Sequence, residues 1–192
     1  AYYVFPFFVT VFYTPFYAIG GVYALDLISL LSGLAILYLV YKISILLGVG
    51  GKFRKPMLIF IALGSINSIY SFMLGEAIHA SLLITLSYFL ILRAQSISKT
   101  WHYFFISGLL AGFSVLFRIE LALFCLLFFI GIILFRIYKG KLDLVALSLG
   151  FAIPACVLIF ANYKVTGNIL GLRGIEFLNY SGVAYPIEKR LF

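Results

Sequence analysis

The sequence predicts an all-α membrane protein: a polytopic bundle of about six transmembrane helices preceded by an interfacial or re-entrant N-terminal segment. Three observations carry that expectation. Only 10% of the 192 residues are charged and 65% are hydrophobic, whereas soluble domains are about a quarter charged. Mean hydropathy is +1.18. Several runs approach or exceed the ~20 apolar residues that cross a ~30 Å hydrocarbon layer. None of them alternates in polarity as barrel strands do, so helices are the structure that satisfies their backbone groups in lipid.

The opening "AYYVFPFFVTVFYTPFYAIGG" has no basic leader and is crowded with aromatics, so it is not a secretory signal. Pro6 and Pro15 each break or bend a helix there, and aromatic rings favour the headgroup level. The spans expected next are 22–47, 57–74, 77–92, 101–117, 119–135 and 142–161. The split at Arg118 rests on a length. Residues 101–138 as one helix would measure ~57 Å at ~1.5 Å per residue, nearly twice the hydrocarbon thickness. Such a helix would also hold Arg118 near the bilayer centre at a cost of roughly 2.5–3.5 kcal/mol. Two shorter helices, with Arg118 and Glu120 at the tip between them, avoid both problems. Residues 1–162 are thus expected to form the helical membrane domain, and 163–192 an extracytoplasmic loop or the start of a further segment. Ala1 is not preceded by a methionine and the chain stops at "EKRLF", so an internal piece of a longer protein is expected.

Small residues recur where helices should touch: Ser29 with Gly33, Gly108 with Gly112, and Ser65, Ser68 and Ser71 with Asn67 beside them. They let backbones approach closely in lipid. Pro154 reads as a kink inside the last span. Cys125 and Cys156 read as buried thiols with no disulfide or metal spacing.

The net charge of +8 is distributed as a topological signal, which argues against nucleic acid as a partner. Lys42, Lys52, Arg54 and Lys55 follow the first clear span, Arg93 and Lys99 the third, and Arg136, Lys139 and Lys141 the fifth. By the positive-inside rule those connections are cytoplasmic. The acids then sort unevenly. Asp143 falls inside, whereas Asp26, Glu76, Glu120, Glu176 and Glu188 fall at or beyond the outer face.

The stretch "YSFMLGEAIHASL" carries the sharpest candidate site. Gly75 supports a tight turn, Glu76 occupies the first turn of the returning helix where the helix dipole favours an anion, and His79 lies three residues on along the same face. Such a pair can bind a divalent cation, orient a phosphate through one, or exchange protons. It can equally be a helix start with a packed imidazole beside it. Arg118, at the depth where a lipid-linked phosphate presents itself, can bind that phosphate, or can be one charge of a solvated hairpin tip together with Glu120. Asp26 is expected to be an interfacial helix-start residue. Asn179-Tyr180-Ser181 matches a glycosylation acceptor, a short pattern of low specificity.

Several stretches together resemble the multi-spanning glycosyltransferases of the GT-C superfamily. "LDLISLLSGLAILYLVYKISILLG" after the aromatic opening is similar to the end of that family's first external loop and its second span. "NSIYSFMLGEAIHASLLITLSYFLILRA" is similar to its short second external loop, and "SGLLAGFSVLFRIELALFCLLFFI" to its glycine-rich helix ending in an Arg-x-Glu tip. "ANYKVTGNILG" looks like the family's exit from a span into an external loop. The resemblance implies an enzyme that transfers a sugar from a polyprenyl-phosphate carrier to a protein or glycolipid acceptor on the extracytoplasmic face, with a prokaryotic plasma membrane the expected location. It implies Glu76 as a catalytic acid that helps hold a divalent metal, Mg or Mn. His79, Arg118 and Glu120 would bind substrate, and the family's main catalytic aspartate would lie before Ala1. Glu76 lacks the paired acid one or two residues away that accompanies metal binding in the oligosaccharyltransferase branch. Two other classes stay open: a transporter or lipid flippase, which would place ionisable groups in mid-span, and a non-catalytic membrane subunit.

Overall fold

A computed structural model describes residues 7–64, 76–97, 100–118, 121–135 and 137–166. These residues form six helices: α1 (Phe7–Leu46), α2 (Gly51–Gly64), α3 (Glu76–Ala94), α4 (Trp101–Phe117), α5 (Leu121–Leu134) and α6 (Lys141–Thr166). There is no strand among them. The all-α class therefore stands.

Three of the helices, over Phe8–Leu46, Glu76–Ala94 and Lys141–Ala161, are long and apolar enough to cross a membrane, fewer than the six spans expected. The shortfall is one of length. The break at Arg118 leaves α4 with 17 residues and α5 with 14, about 25 and 21 Å at ~1.5 Å per residue. Both are apolar yet shorter than the hydrocarbon layer. Part of the expected 57–74 span, with Ser65, Asn67, Ser68 and Ser71, lies outside the described residues, as does the tail from residue 167. Only Cys125 and Ile132 of α5 are buried, and Leu123, Leu126, Leu127 and Leu134 are exposed. An apolar outer surface of this extent belongs to a membrane protein, in which lipid rather than water covers it.

α1 is two helices and not one. Gly20 (φ −144°, ψ 18°) and Gly21 (φ 60°, ψ −145°) leave the helical region, and Gly21 adopts a conformation that a side chain would strain. Tyr13 and Ser32 show how far the chain turns. On a straight helix they would lie ~28 Å apart, yet both touch His79: the Tyr13 and His79 ring centroids are 5.4 Å apart, and Ser32 Oγ is 2.9 Å from His79 Nδ1. The arm 7–19 thus folds back on the arm 22–46. Pro15 sits inside the first arm without ending it, and the chain reverses at the two glycines instead.

α3 lies between α1 and α4 and packs along both. At one end of the bundle Val9, Tyr13, Leu25, Ala80 and Phe117 form a core cluster; elsewhere Ile91, Ala94, Phe104, Ile132, Ala146 and Leu147 form another. α4 and α6 meet backbone to backbone. A Cβ on Gly108 would collide with the Leu147 carbonyl, and one on Gly150 with the Phe105 carbonyl. Gly112 faces the Phe151 carbonyl and the Pro154 ring, each 2.9 Å from where its Cβ would stand. α3 and α4 are joined by Ser87 and Ser107, whose hydroxyls are 2.7 Å apart. The chain divides into two compact units at residues 154 and 155, and of the second unit the described part is helical.

The connections at the Ala94 end of α3 are stitched together. Asp143, in the first turn of α6, is buried and accepts hydrogen bonds from Thr100 Oγ1 (2.6 Å) and from the backbone N–H groups of Lys139 (2.9 Å) and Gly140 (3.2 Å). Lys139 Nζ donates to the Ile97 carbonyl, and Gln95 Nε2 to that of Ile137. The carboxylate satisfies the free N–H groups at the start of α6, as an acid three residues into a helix can.

Candidate functional site

The candidate site is at the other end of α3, around His79. Glu76 opens that helix in its first turn, as the sequence suggests. His79 follows one turn on and is 4% exposed. Its ring is enclosed by Phe12 (centroids 5.3 Å apart), Tyr13 (5.4 Å) and Phe117 (6.3 Å). The first two come from the folded-back arm of α1 and the third from the last residue of α4.

Arg118 follows Phe117 directly as the C-cap of α4. Its backbone is extended (φ −144°, ψ 109°) and its N–H donates to the Ser114 carbonyl. Glu76, His79 and the α4 terminus that carries Arg118 are thus gathered at one end of the bundle. Both Glu76 and Arg118 make interactions there, and Glu76 acts electrostatically on the Tyr13 hydroxyl. Glu120, the fourth expected site residue, lies outside the described residues, as do Gly75, Glu176, Glu188 and the 179–181 acceptor pattern. Asp26 is exposed on the second arm of α1.

Two site residues escaped the sequence reading: Tyr13 and Ser32. Tyr13 was one aromatic among many in the opening, and Ser32 one of several small residues. Ser32 Oγ donates to the Ile28 carbonyl at 2.8 Å and lies 2.9 Å from His79 Nδ1. The readable signal was Gly20-Gly21, since adjacent glycines mark turns. With that reversal, residues 13 and 32 both come into contact with one imidazole.

The chemistry at this end is mixed. The acid that opens α3 and the arginine-bearing end of α4 adjoin a buried aromatic nest, and inside it the Tyr13 hydroxyl and His79 Nε2 have no hydrogen-bond partner among the described residues. No three His, Cys, Asp or Glu side chains gather closely enough to hold a metal ion among the described residues. A cation at Glu76 would therefore draw further ligands from outside them.

Cys156 differs from expectation, and Asp143 plays a part that the sequence does not show. Asp143 is not simply the one acid left inside, because its carboxylate ties two connections together. Cys156 is exposed, whereas Cys125 is buried as expected; the outward face of a lipid-embedded helix accepts a thiol without enclosing it. In comparisons with known proteins, the chain matches no family model, no curated protein and no solved structure.

Proposed function

We propose that the chain is part of a membrane glycosyltransferase that takes a sugar from a polyprenyl-phosphate carrier and transfers it to a protein or glycolipid acceptor on the extracytoplasmic face. One observation carries the reading. Glu76, His79 and the Arg118 terminus meet at one end of α3, while Arg93, Lys139 and Lys141 belong to the stitched connections at the other. A membrane enzyme acting on a lipid-linked phosphate needs such a division, with topological charge on one side and phosphate chemistry on the other.

In this proposal the bond between the sugar carbon and the carrier phosphate breaks as the acceptor oxygen bonds to that carbon. The acceptor proton goes to a carboxylate base outside this chain. Arg118 stabilises the charge that develops on the departing phosphate, and His79 orients the reacting groups. A Mg or Mn ion held by Glu76 would supply further positive charge to the phosphate. The same proposal includes the six-span arrangement, with α4 and α5 as short spans whose tip lies slightly below the outer surface, and a prokaryotic plasma membrane as the location.

The test is sugar transfer from a polyprenyl-phosphate donor by the membrane-embedded protein with Glu76→Ala or Arg118→Ala. Loss of one charge-stabilising group is expected to lower the rate ~10²-fold or more. Unchanged transfer in both variants refutes the roles assigned.

A further inference from the structure

A groove between α1 and α2 lies apart from the site around His79. Leu37, Tyr38 and Tyr41 of α1 and Leu58, Ile59 and Ala62 of α2 line an open cavity of about 340 Å³ whose walls are wholly apolar. It follows ~6 Å of each helix, four residues at ~1.5 Å per residue. In a bilayer such a groove takes an acyl chain, but the tails of all phospholipids are as apolar as its walls. A preference for one lipid must therefore come from the headgroup.

The turn between the two helices builds the headgroup end. Gly48, with φ 71°, closes α1: its N–H donates to the Ile45 carbonyl (3.0 Å) and that of Val49 to the Ser44 carbonyl (2.9 Å), the pairing that ends a helix at a left-handed residue. Arg54 Nε donates to the Val49 carbonyl at 2.8 Å and fastens the start of α2 to the turn. The reversal brings Lys42, next to Tyr41, to the same end of the groove as Lys52 and Lys55, in the turn of α2 before Leu58. Lys42 Nζ lies over the Tyr38 ring, 5.3 Å from its centroid, so one of these cations rests against a wall of the groove. Lys52 and Lys55 are exposed. No aspartate or glutamate occurs in residues 27–75, so no acid of this stretch neutralises the cluster.

We propose that the groove is a binding site for an anionic phospholipid, with one acyl chain lying between α1 and α2 and the phosphate held by Lys42, Lys52 and Lys55. Each basic residue at a membrane surface raises affinity for anionic lipid roughly fivefold. The groove adds a fixed place for the chain, which a topological signal does not need. The site is separate from the proposed sugar-donor site, because Lys42 stands ~15 Å along its helix from Ser32, which touches His79. It stands whether or not the chain transfers sugar.

The experiment is native mass spectrometry of the chain in dodecyl maltoside, with phosphatidylglycerol and phosphatidylcholine of identical acyl chains added in equal amounts. Phosphatidylglycerol is expected to be retained ~10-fold or more over phosphatidylcholine. Lys42→Gln, Lys52→Gln and Lys55→Gln combined should abolish that preference, whereas Lys141→Gln, in another basic connection, should leave it intact. Ala62→Phe fills the groove and keeps every cation; with helix content unchanged by circular dichroism, it should lower phosphatidylglycerol retention several-fold. Equal retention of the two lipids by the parent chain, the result expected if a partner helix covers the groove, overturns the proposal. An undiminished preference in the triple lysine variant, which changes no residue lining the groove, overturns it too. So does full retention by folded Ala62→Phe, which would leave only diffuse attraction between charges.

Discussion

Replacing Gly108 by alanine is expected to damage the protein far more than replacing Gly131, although both lie in apolar helices and both gain the same methyl group. At Gly108 the new Cβ would overlap the carbonyl of Leu147, with Phe151 N only 3.0 Å away. Backbone cannot rotate aside as a flexible side chain can, so α4 and α6 must separate, and Gly150 opposite the Phe105 carbonyl would lose its own close approach. Overpacking typically costs ~1–3 kcal/mol, and a collision with backbone belongs at about 3 kcal/mol or above. A Cβ on Gly131 meets nothing within 4 Å, so there alanine brings only its better helix propensity, a gain of about 0.5–1 kcal/mol. At ~2–4 °C per kcal/mol for a chain of this size, Gly108→Ala should lower Tm by about 6–12 °C and Gly131→Ala should raise it by about 1–4 °C. Thermal unfolding in detergent, followed by circular dichroism, measures both. If Gly108→Ala melts within a degree of the parent, the close packing of α4 on α6 is wrong.

Three further outcomes follow from the same structure. Asp143→Ala leaves the Thr100 hydroxyl and the N–H groups of Lys139 and Gly140 without their acceptor, and is expected to cost about 3 kcal/mol, against about 1 kcal/mol for Thr100→Val; denaturant unfolding that finds the two equal would remove the carboxylate from its central place. A double-mutant cycle on Ser87→Ala and Ser107→Ala should give a coupling of about 0.6 kcal/mol and no more than ~1.7, the range for hydroxyl bonds between membrane helices. Sidedness is checked in a Cys156→Ser background, since Cys156 is the exposed thiol and Cys125 is buried. A cysteine at position 76 should react with an impermeant maleimide only from outside the cell and one at position 140 only from inside, and labelling of position 76 from the cytosol alone would reverse the topology.

What the sequence revealed about the fold followed from length and charge. The end of α4 at Phe117 was legible because an arginine in the middle of a double-length apolar run is too costly in lipid. The start of α3 at Glu76 was legible from a glycine followed by an acid. Helix faces were not legible, because lipid and protein core are both apolar and select no periodic stripe. The Tyr13 and Ser32 positions depend on a reversal that no local pattern describes beyond two glycines, and the aromatic richness of the opening pointed to the headgroup region instead. The structural part played by Asp143 was not legible for a related reason. Its partner Thr100 is 43 residues away in sequence, so its position among basic loop residues spoke only of topology.

The hydrogen-bonded carboxylate at one end of α3 and, at the other, two atoms with no partner among the described residues give the bundle an uneven compliance. α3, α4 and α6 are riveted where their connections exchange hydrogen bonds through Asp143, Lys139 and Gln95. The arm 7–19 is held against α3 and α4 by the apolar packing of Val9 and Tyr13 with Ala80 and Phe117. Thermal opening should therefore follow the motion of tweezers, pivoting near residue 143 and parting at the jaws between Tyr13 and His79. Amide deuterium uptake along α3 should accordingly rise from Ala94 toward Glu76.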